Sequence, residues 1–138
     1  MTSSLQSRCW AEVDRAALRH NVTALRRRSG SARLMAVVKA DAYGHGLAEV
    51  AGTLQRCGVD AFAIANPTEA IALRQIVGPA PLILLFGAAF PFEIAALLSH
   101  NITPTITTLA MRSGSGILER TNCRRLPAPD LFSFAMKN

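Results

Sequence analysis

At 138 residues the chain has room for one domain with a real core and not for two. Half of it is hydrophobic and 17% is charged, which excludes a disordered polar tail, and its three cysteines (Cys9, Cys57, Cys123) show no CxxC spacing, which argues against a disulfide scaffold or a zinc site. The net charge of +6 raises a nucleic-acid partner, but its densest cluster, Arg26-Arg27-Arg28, falls at a predicted helix end and no aromatics interleave with it, so no nucleic-acid binding is expected.

The N-terminus, Met-Thr-Ser-Ser-Leu-Gln-Ser-Arg, has no apolar signal core. Cys9–Val13 alternates loosely and predicts a short strand. Asp14 is a good N-cap for a helix from Arg15 to about Arg28, with Leu18, Val22 and Leu25 forming one apolar stripe. Ser29-Gly30-Ser31 closes it. Leu34–Val38 is an apolar run of the kind that fills a buried parallel strand, and it leads into Lys39 and a small, polar, glycine-punctuated loop ending at Gly46. Leu47, Val50, Ala51 and Leu54 mark a second helix, ended by Cys57-Gly58.

Ala61–Ala65 predicts a second buried strand, followed by an Asn66-Pro67 turn. Thr68-Glu69 opens a third helix that ends at Gly78-Pro79. Leu82–Phe86 is the third strand, stopped by Gly87. Pro91 starts a helix running to about His100, as a proline in a first turn should. Ile102–Ile106 predicts a fourth strand, weakened by Pro104 inside it. The longest apolar stretch, residues 79–92, is broken by Pro81, Gly87 and Pro91 and is too short to span a bilayer. The three histidines (His20, His45, His100) lie far apart without ligand spacing, so no metal is expected.

Strand starts near residues 34, 61, 82 and 102, each separated by one helix length, define a repeated β-α unit with parallel strands and right-handed crossovers. The loops at the strand C-termini (Lys39–Gly46, Asn66–Pro67, Gly87–Phe90, Thr107–Thr108) then share one face. A doubly wound sheet and a (β/α)8 barrel both fit such a run; a full barrel needs about 250 residues. Lys39 at the strand end has two readings: an ammonium that snorkels into water, or a desolvated amine available for a Schiff base with a carbonyl.

The stretch Ala36-Val37-Val38-Lys39-Ala40-Asp41-Ala42-Tyr43-Gly44-His45-Gly46 resembles the pyridoxal-phosphate attachment motif of alanine racemases. Trp10-Ala11-Glu12-Val13-Asp14 with Leu18, His20 and Asn21 resembles the start of that family. So do Gly58–Ala65 with Glu69-Ala70, Leu82–Leu85 with Gly87, and Asn101–Thr105. The resemblance covers residues 8–110. It implies an α/β fold, a partial (β/α)8 TIM barrel of about the first four β-α units, with the family's C-terminal β domain absent. It also implies pyridoxal 5'-phosphate as cofactor, alanine as substrate and a homodimer, while the odd cysteine set without CxxC spacing fits a cytoplasmic location. Lys39 would hold the cofactor and act as one of two acid–base groups at the substrate's α-carbon, and Tyr43 would donate its hydroxyl to the cofactor phosphate. Leu85 is first of all a core residue, and Asp41 and His45 are expected to serve in loop hydrogen bonding.

The second base of the family is a tyrosine of the C-terminal domain from the other subunit, whereas Tyr43 is the only tyrosine here. After Ala110 the β-α pattern stops, and residues 111–138 are expected to be an unrelated, disordered tail, as a frameshift, premature stop or gene fragment would produce. The last strand of such an open half-barrel would also expose an unpaired edge. The expected function is therefore the N-terminal part of an alanine racemase, supplying D-alanine for peptidoglycan, with this chain alone inactive. The rivals are a non-catalytic cofactor-binding or subunit-pairing remnant, and a single-domain pyridoxal-phosphate homeostasis protein, which the Asp-Ala-Tyr-Gly-His-Gly continuation disfavours.

Overall fold

A computed structural model describes residues 11–107 and the backbone of 131–135. Helix α1 (Arg15–Ser29) begins where expected, because the Asp14 carboxylate accepts hydrogen bonds from the backbone N–H groups of Ala16 (2.7 Å) and Ala17 (3.2 Å). Arg26, Arg27 and Arg28 occupy its last turn, where the exposed carbonyls favour cations. Strand β1 (Arg33–Val37) leads through Val38 into α2 (Lys39–Gly44), a single turn of unusual hand described below. Then follow α3 (Leu47–Arg56), β2 (Ala61–Ile64), α4 (Pro67–Val77), β3 (Leu82–Leu85), a 3-10 turn (Pro91–Glu93), α5 (Ile94–Ser99) and β4 (Thr103–Pro104).

The strands form one wholly parallel sheet in the order β4-β3-β2-β1, each joined to the next through a helix. This is the repeated β-α unit that the spacing predicts, in the arrangement that builds (β/α)8 barrels. Leu18, Val22, Val50, Leu54, Phe62, Ile64, Leu73, Ile83 and Leu97 pack into the large core between sheet and helices. The opposite face of the sheet carries a smaller cluster, Met35, Ala61 and Ala63, flanked by half-buried Val37, Leu82 and Leu84.

Several boundaries differ from the sequence expectation. Ala11–Val13 is irregular rather than a strand, with Val13 packed against the core, while Cys9 and Trp10 lie outside the described residues. The predicted helix from Pro91 divides into a 3-10 turn and α5; the Glu93 carboxylate bonds the Phe90 backbone N–H at 2.7 Å and tightens the start. The fourth strand shrinks to Thr103–Pro104, because proline lacks a ladder donor. Thr105 then anchors the chain to β3, donating from both its backbone N–H (2.9 Å) and its hydroxyl (2.8 Å) to the Leu85 carbonyl.

Over residues 111–138, the expected tail, the sequence shows no β-α unit. Within that stretch, Leu131–Ala135 forms a further parallel strand, β5, that pairs with β1 from Arg33↔Leu131 to Val37↔Ala135. This segment, Leu-Phe-Ser-Phe-Ala, pairs with the ladder groups that β1 presents away from β2, so the β1 edge is not left open. The remaining residues of the tail, and the division near residue 110, lie outside the described residues.

One buried cation ties the second half of the fold together. Arg74 of α4 donates to four backbone carbonyls: Pro81 and Gly78 at 2.8 Å, Asn101 at 2.6 Å and His100 at 3.0 Å. Burial pushes its pKa below the ordinary arginine value, yet a guanidinium stays charged in proteins and the four carbonyls satisfy it. The sequence pattern places Arg74 on a helix face with no hint of this role. No helix among the described residues is long and apolar enough to cross a membrane.

Candidate active site

Along β1 side chains alternate, so Leu34, Ala36 and Val38 enter the large core while Met35 and Val37 lie on the opposite face. Lys39 continues the second parity and emerges half-buried at the carboxyl end of the sheet. Along β3, Leu82 and Leu84 lie on that same face, and Phe86 is the next residue of their parity. Strand alternation therefore brings Lys39 and Phe86 together. The Lys39 ammonium stands 5.8 Å from the Phe86 ring centroid and 5.9 Å from that of Tyr43. Both distances are near the outer limit of a cation–π contact, worth about 0.5–1 kcal/mol each.

The chain after Lys39 is not a flexible loop. Ala40, Asp41, Ala42 and Tyr43 have φ between 52° and 58°, which makes Lys39–Gly44 a turn of left-handed helix. For residues with a Cβ this conformation costs roughly 1–2 kcal/mol each, and four in succession persist only when their surroundings hold them. The small side chains that suggest a loop in the sequence keep Cβ crowding low in this turn.

Several polar bonds hold the turn. The Ala42 N–H reaches the Val38 carbonyl (3.1 Å), the Gly46 N–H the Asp41 carbonyl (3.0 Å), and His45 Nδ1 lies 2.9 Å from the Ala42 carbonyl. The Asp41 carboxylate accepts from the Leu47 N–H at 2.7 Å and so starts α3. These are the loop-bonding roles expected of Asp41 and His45. From the next β-α unit, Glu69 accepts the Ala40 N–H (3.2 Å) on Oε2 and the Asp41 N–H (2.9 Å) on Oε1. Asn66 caps α4 through the Glu69 N–H (2.8 Å) and also donates its side-chain amide to Glu69 Oε2 (2.8 Å).

Gly87, the residue after Phe86, passes so close to the end of β2 that a Cβ there would overlap the Ala65 carbonyl oxygen. Only glycine permits that approach, which fixes where Phe86 leaves β3. Leu85 is fully buried in the large core, as expected of a packing residue.

Both proposed site residues, Lys39 and Tyr43, thus meet at the carboxyl edge of β1. Among the described residues the Lys39 ammonium and the Tyr43 hydroxyl make no hydrogen bond or ion pair; the two ion pairs present are Arg15–Glu49 and Arg33–Asp60. An unpaired primary amine beside two aromatic rings, with a phenol free to donate, fits a planar aromatic aldehyde that carries an anionic group. In the sequence Phe86 reads only as the end of a strand, and Glu69 only as a helix opening and part of the family resemblance, neither as a neighbour of Lys39. Strand parity past Leu84 was the available signal for Phe86. Glu69 looks like the third residue of a helix-capping pair with Asn66, and nothing local points to a turn 28 residues away.

The profile of the alanine racemase N-terminal domain matches residues 13–113. An alanine racemase of Synechocystis is 47% identical over 103 residues, covering 74% of this chain and 28% of the relative. One from Aeromonas hydrophila is 37% identical over 119 residues, covering 86% and 31%. Among solved structures, an alanine racemase of Clostridium difficile 630 superposes with a TM-score of 0.71 at 33% identity, covering 78% of this chain and 28% of that one. That of Bartonella henselae, with covalently bound pyridoxal phosphate, superposes with a TM-score of 0.64 at 27% identity, covering 67% and 26%. The chain therefore spans about a quarter to a third of the length of the relatives it matches.

Proposed function

This chain belongs to the alanine racemase family through its N-terminal domain, and on that premise we propose that it supplies the lysine side of a pyridoxal 5'-phosphate-dependent site interconverting L- and D-alanine. The observation that carries this reading is the Lys39 amine, unpaired among the described residues and held beside the Tyr43 and Phe86 rings at the carboxyl edge of a parallel sheet. Lys39 Nζ would hold the cofactor, and its amine would move a proton at the substrate's α-carbon on its own face. The Tyr43 hydroxyl would donate to the cofactor phosphate. When bound, the cofactor supplies an electron sink for the charge left on the α-carbon.

Racemisation needs a second acid–base group on the opposite face. The 138 residues contain one tyrosine, Tyr43, so that group comes from elsewhere, by the family's pattern from a tyrosine of a partner subunit in a homodimer. The same reading divides the chain near residue 110 into the family segment and a different segment beyond it. It places the protein in the cytoplasm, where D-alanine enters peptidoglycan synthesis.

Incubation with pyridoxal phosphate, trapping with borohydride and peptide mapping tests the proposal. The expected result is one label, at Lys39, with no alanine turnover by the 138-residue chain alone. Absence of label at Lys39 would remove the cofactor assignment. Turnover by the purified chain would remove the claim that the second base lies elsewhere.

A further inference from the structure

The left-handed turn after Lys39 is held from outside. The N–H groups of Ala40 and Asp41 are the donors at its start, and both go to the carboxylate of Glu69, one to each oxygen. Glu69 belongs to the next β-α unit, and Asn66 fixes its orientation from two directions, accepting from its backbone N–H and donating to its Oε2. A carboxylate has acceptor capacity on both oxygens and no donor, so it suits a site where three N–H groups converge.

We propose that Glu69 is a positioning residue for Lys39: bridging the Ala40 and Asp41 amides, it fixes the left-handed turn and hence the direction in which the Lys39 amine is presented between Tyr43 and Phe86. The geometry favours this over a purely helix-capping role. Capping of α4 is already done by the Asn66 side chain, whereas both Glu69 oxygens face the lysine turn. Tyr43 belongs to the same left-handed run, so the clamp sets the ring beside the amine as well as the amine itself. The proposal rests on Lys39 being the cofactor-bearing lysine.

Glu69→Gln tests it with almost no change of volume. Whichever way the amide turns, its NH2 group opposes at least one backbone N–H that the carboxylate now accepts. In the full 138-residue chain, hydrogen exchange at Ala40 or Asp41 should accelerate about tenfold, the size of one charge-assisted hydrogen bond. At limiting pyridoxal phosphate, borohydride-trapped label at Lys39 should fall by about the same factor, compared at equal folded fraction by circular dichroism. A merely structural role predicts instead that label falls only in step with folded protein. Label equal to that of the unsubstituted chain while the amides exchange faster overturns the positioning role, as does label that simply tracks unfolding. If the glutamine variant does not fold, Asn66→Ala keeps the carboxylate but frees its orientation, and should lower Lys39 labelling in the same direction by a smaller factor; unchanged labelling overturns the proposal. Failure of the cofactor reading is distinct, because it appears as an unlabelled Lys39 in the unsubstituted chain.

Discussion

Replacing Arg74 by methionine keeps an unbranched apolar stem and removes the guanidinium with its four hydrogen bonds at once. Of the four, only the bond to the Pro81 carbonyl is buried; those to Gly78, His100 and Asn101 are half-buried, where water can replace the guanidinium. A buried carbonyl left without a donor costs about 1–3 kcal/mol, and each rehydrated bond to a charged donor costs a fraction of its net worth. Against this, methionine avoids the desolvation penalty of a buried cation. The balance is a loss of about 3 kcal/mol, a large part of the 5–15 kcal/mol that typically stabilises a domain. In urea titration this should lower the midpoint with little change in slope, and in thermal melts lower Tm by on the order of 10 °C. Arg74→Lys should recover only part of the loss, because one ammonium cannot reach four carbonyls in the guanidinium's spread geometry. A methionine variant within about 1 kcal/mol of the unsubstituted chain would refute the assignment of Arg74 as the tie between α4 and the segments entering β3 and β4.

Other substitutions probe separate links. Gly87→Ala forces a Cβ onto the Ala65 carbonyl, so the end of β3 must move; a loss of about 1–3 kcal/mol in urea titration is expected, and none would mean that the close approach is dispensable. Asp14→Ala removes the two cap bonds at the start of α1 and should cost about 1 kcal/mol, with Asp14→Asn recovering most of it. Tyr43→Phe retains the ring beside Lys39 and removes only the hydroxyl. Fluorescence titration with pyridoxal phosphate should then show binding weakened about tenfold while trapping at saturation still labels Lys39. Unchanged affinity would withdraw the phosphate role of that hydroxyl.

The periodic parts of the chain were open to inspection in the sequence. Four strand-like runs separated by single helix lengths point to a parallel β-α succession, because a parallel connection needs a crossover and the first three runs are too uniformly apolar for a sheet with a wet face. Asp14 and Asn66 start α1 and α4 through side-chain bonds made within three residues, so both helices lie close to where periodicity puts them. Lys39 and Tyr43 stand out as candidates because a resemblance of contiguous residues carries them, and the structure places the two side by side. The short segments fared worse. Val13 found no ladder, and β4 kept only two residues around Pro104, since pairing there depends on neighbours that local pattern does not contain.

The lysine loop marks the limit most clearly. By itself the sequence determined that a lysine ends a buried strand and is followed by small residues, Asp41 and two glycines. Only the tertiary structure decided that those small residues take a left-handed turn, a conformation no local preference of alanine, aspartate or tyrosine favours. Bonds from Glu69, on the neighbouring unit, make that backbone tolerable, and the parity of two separate strands brings Phe86 against the amine. The physical reason is common to both. Contacts between β-α units depend on where two strands stand in the sheet, and a pattern along one stretch of chain does not encode that.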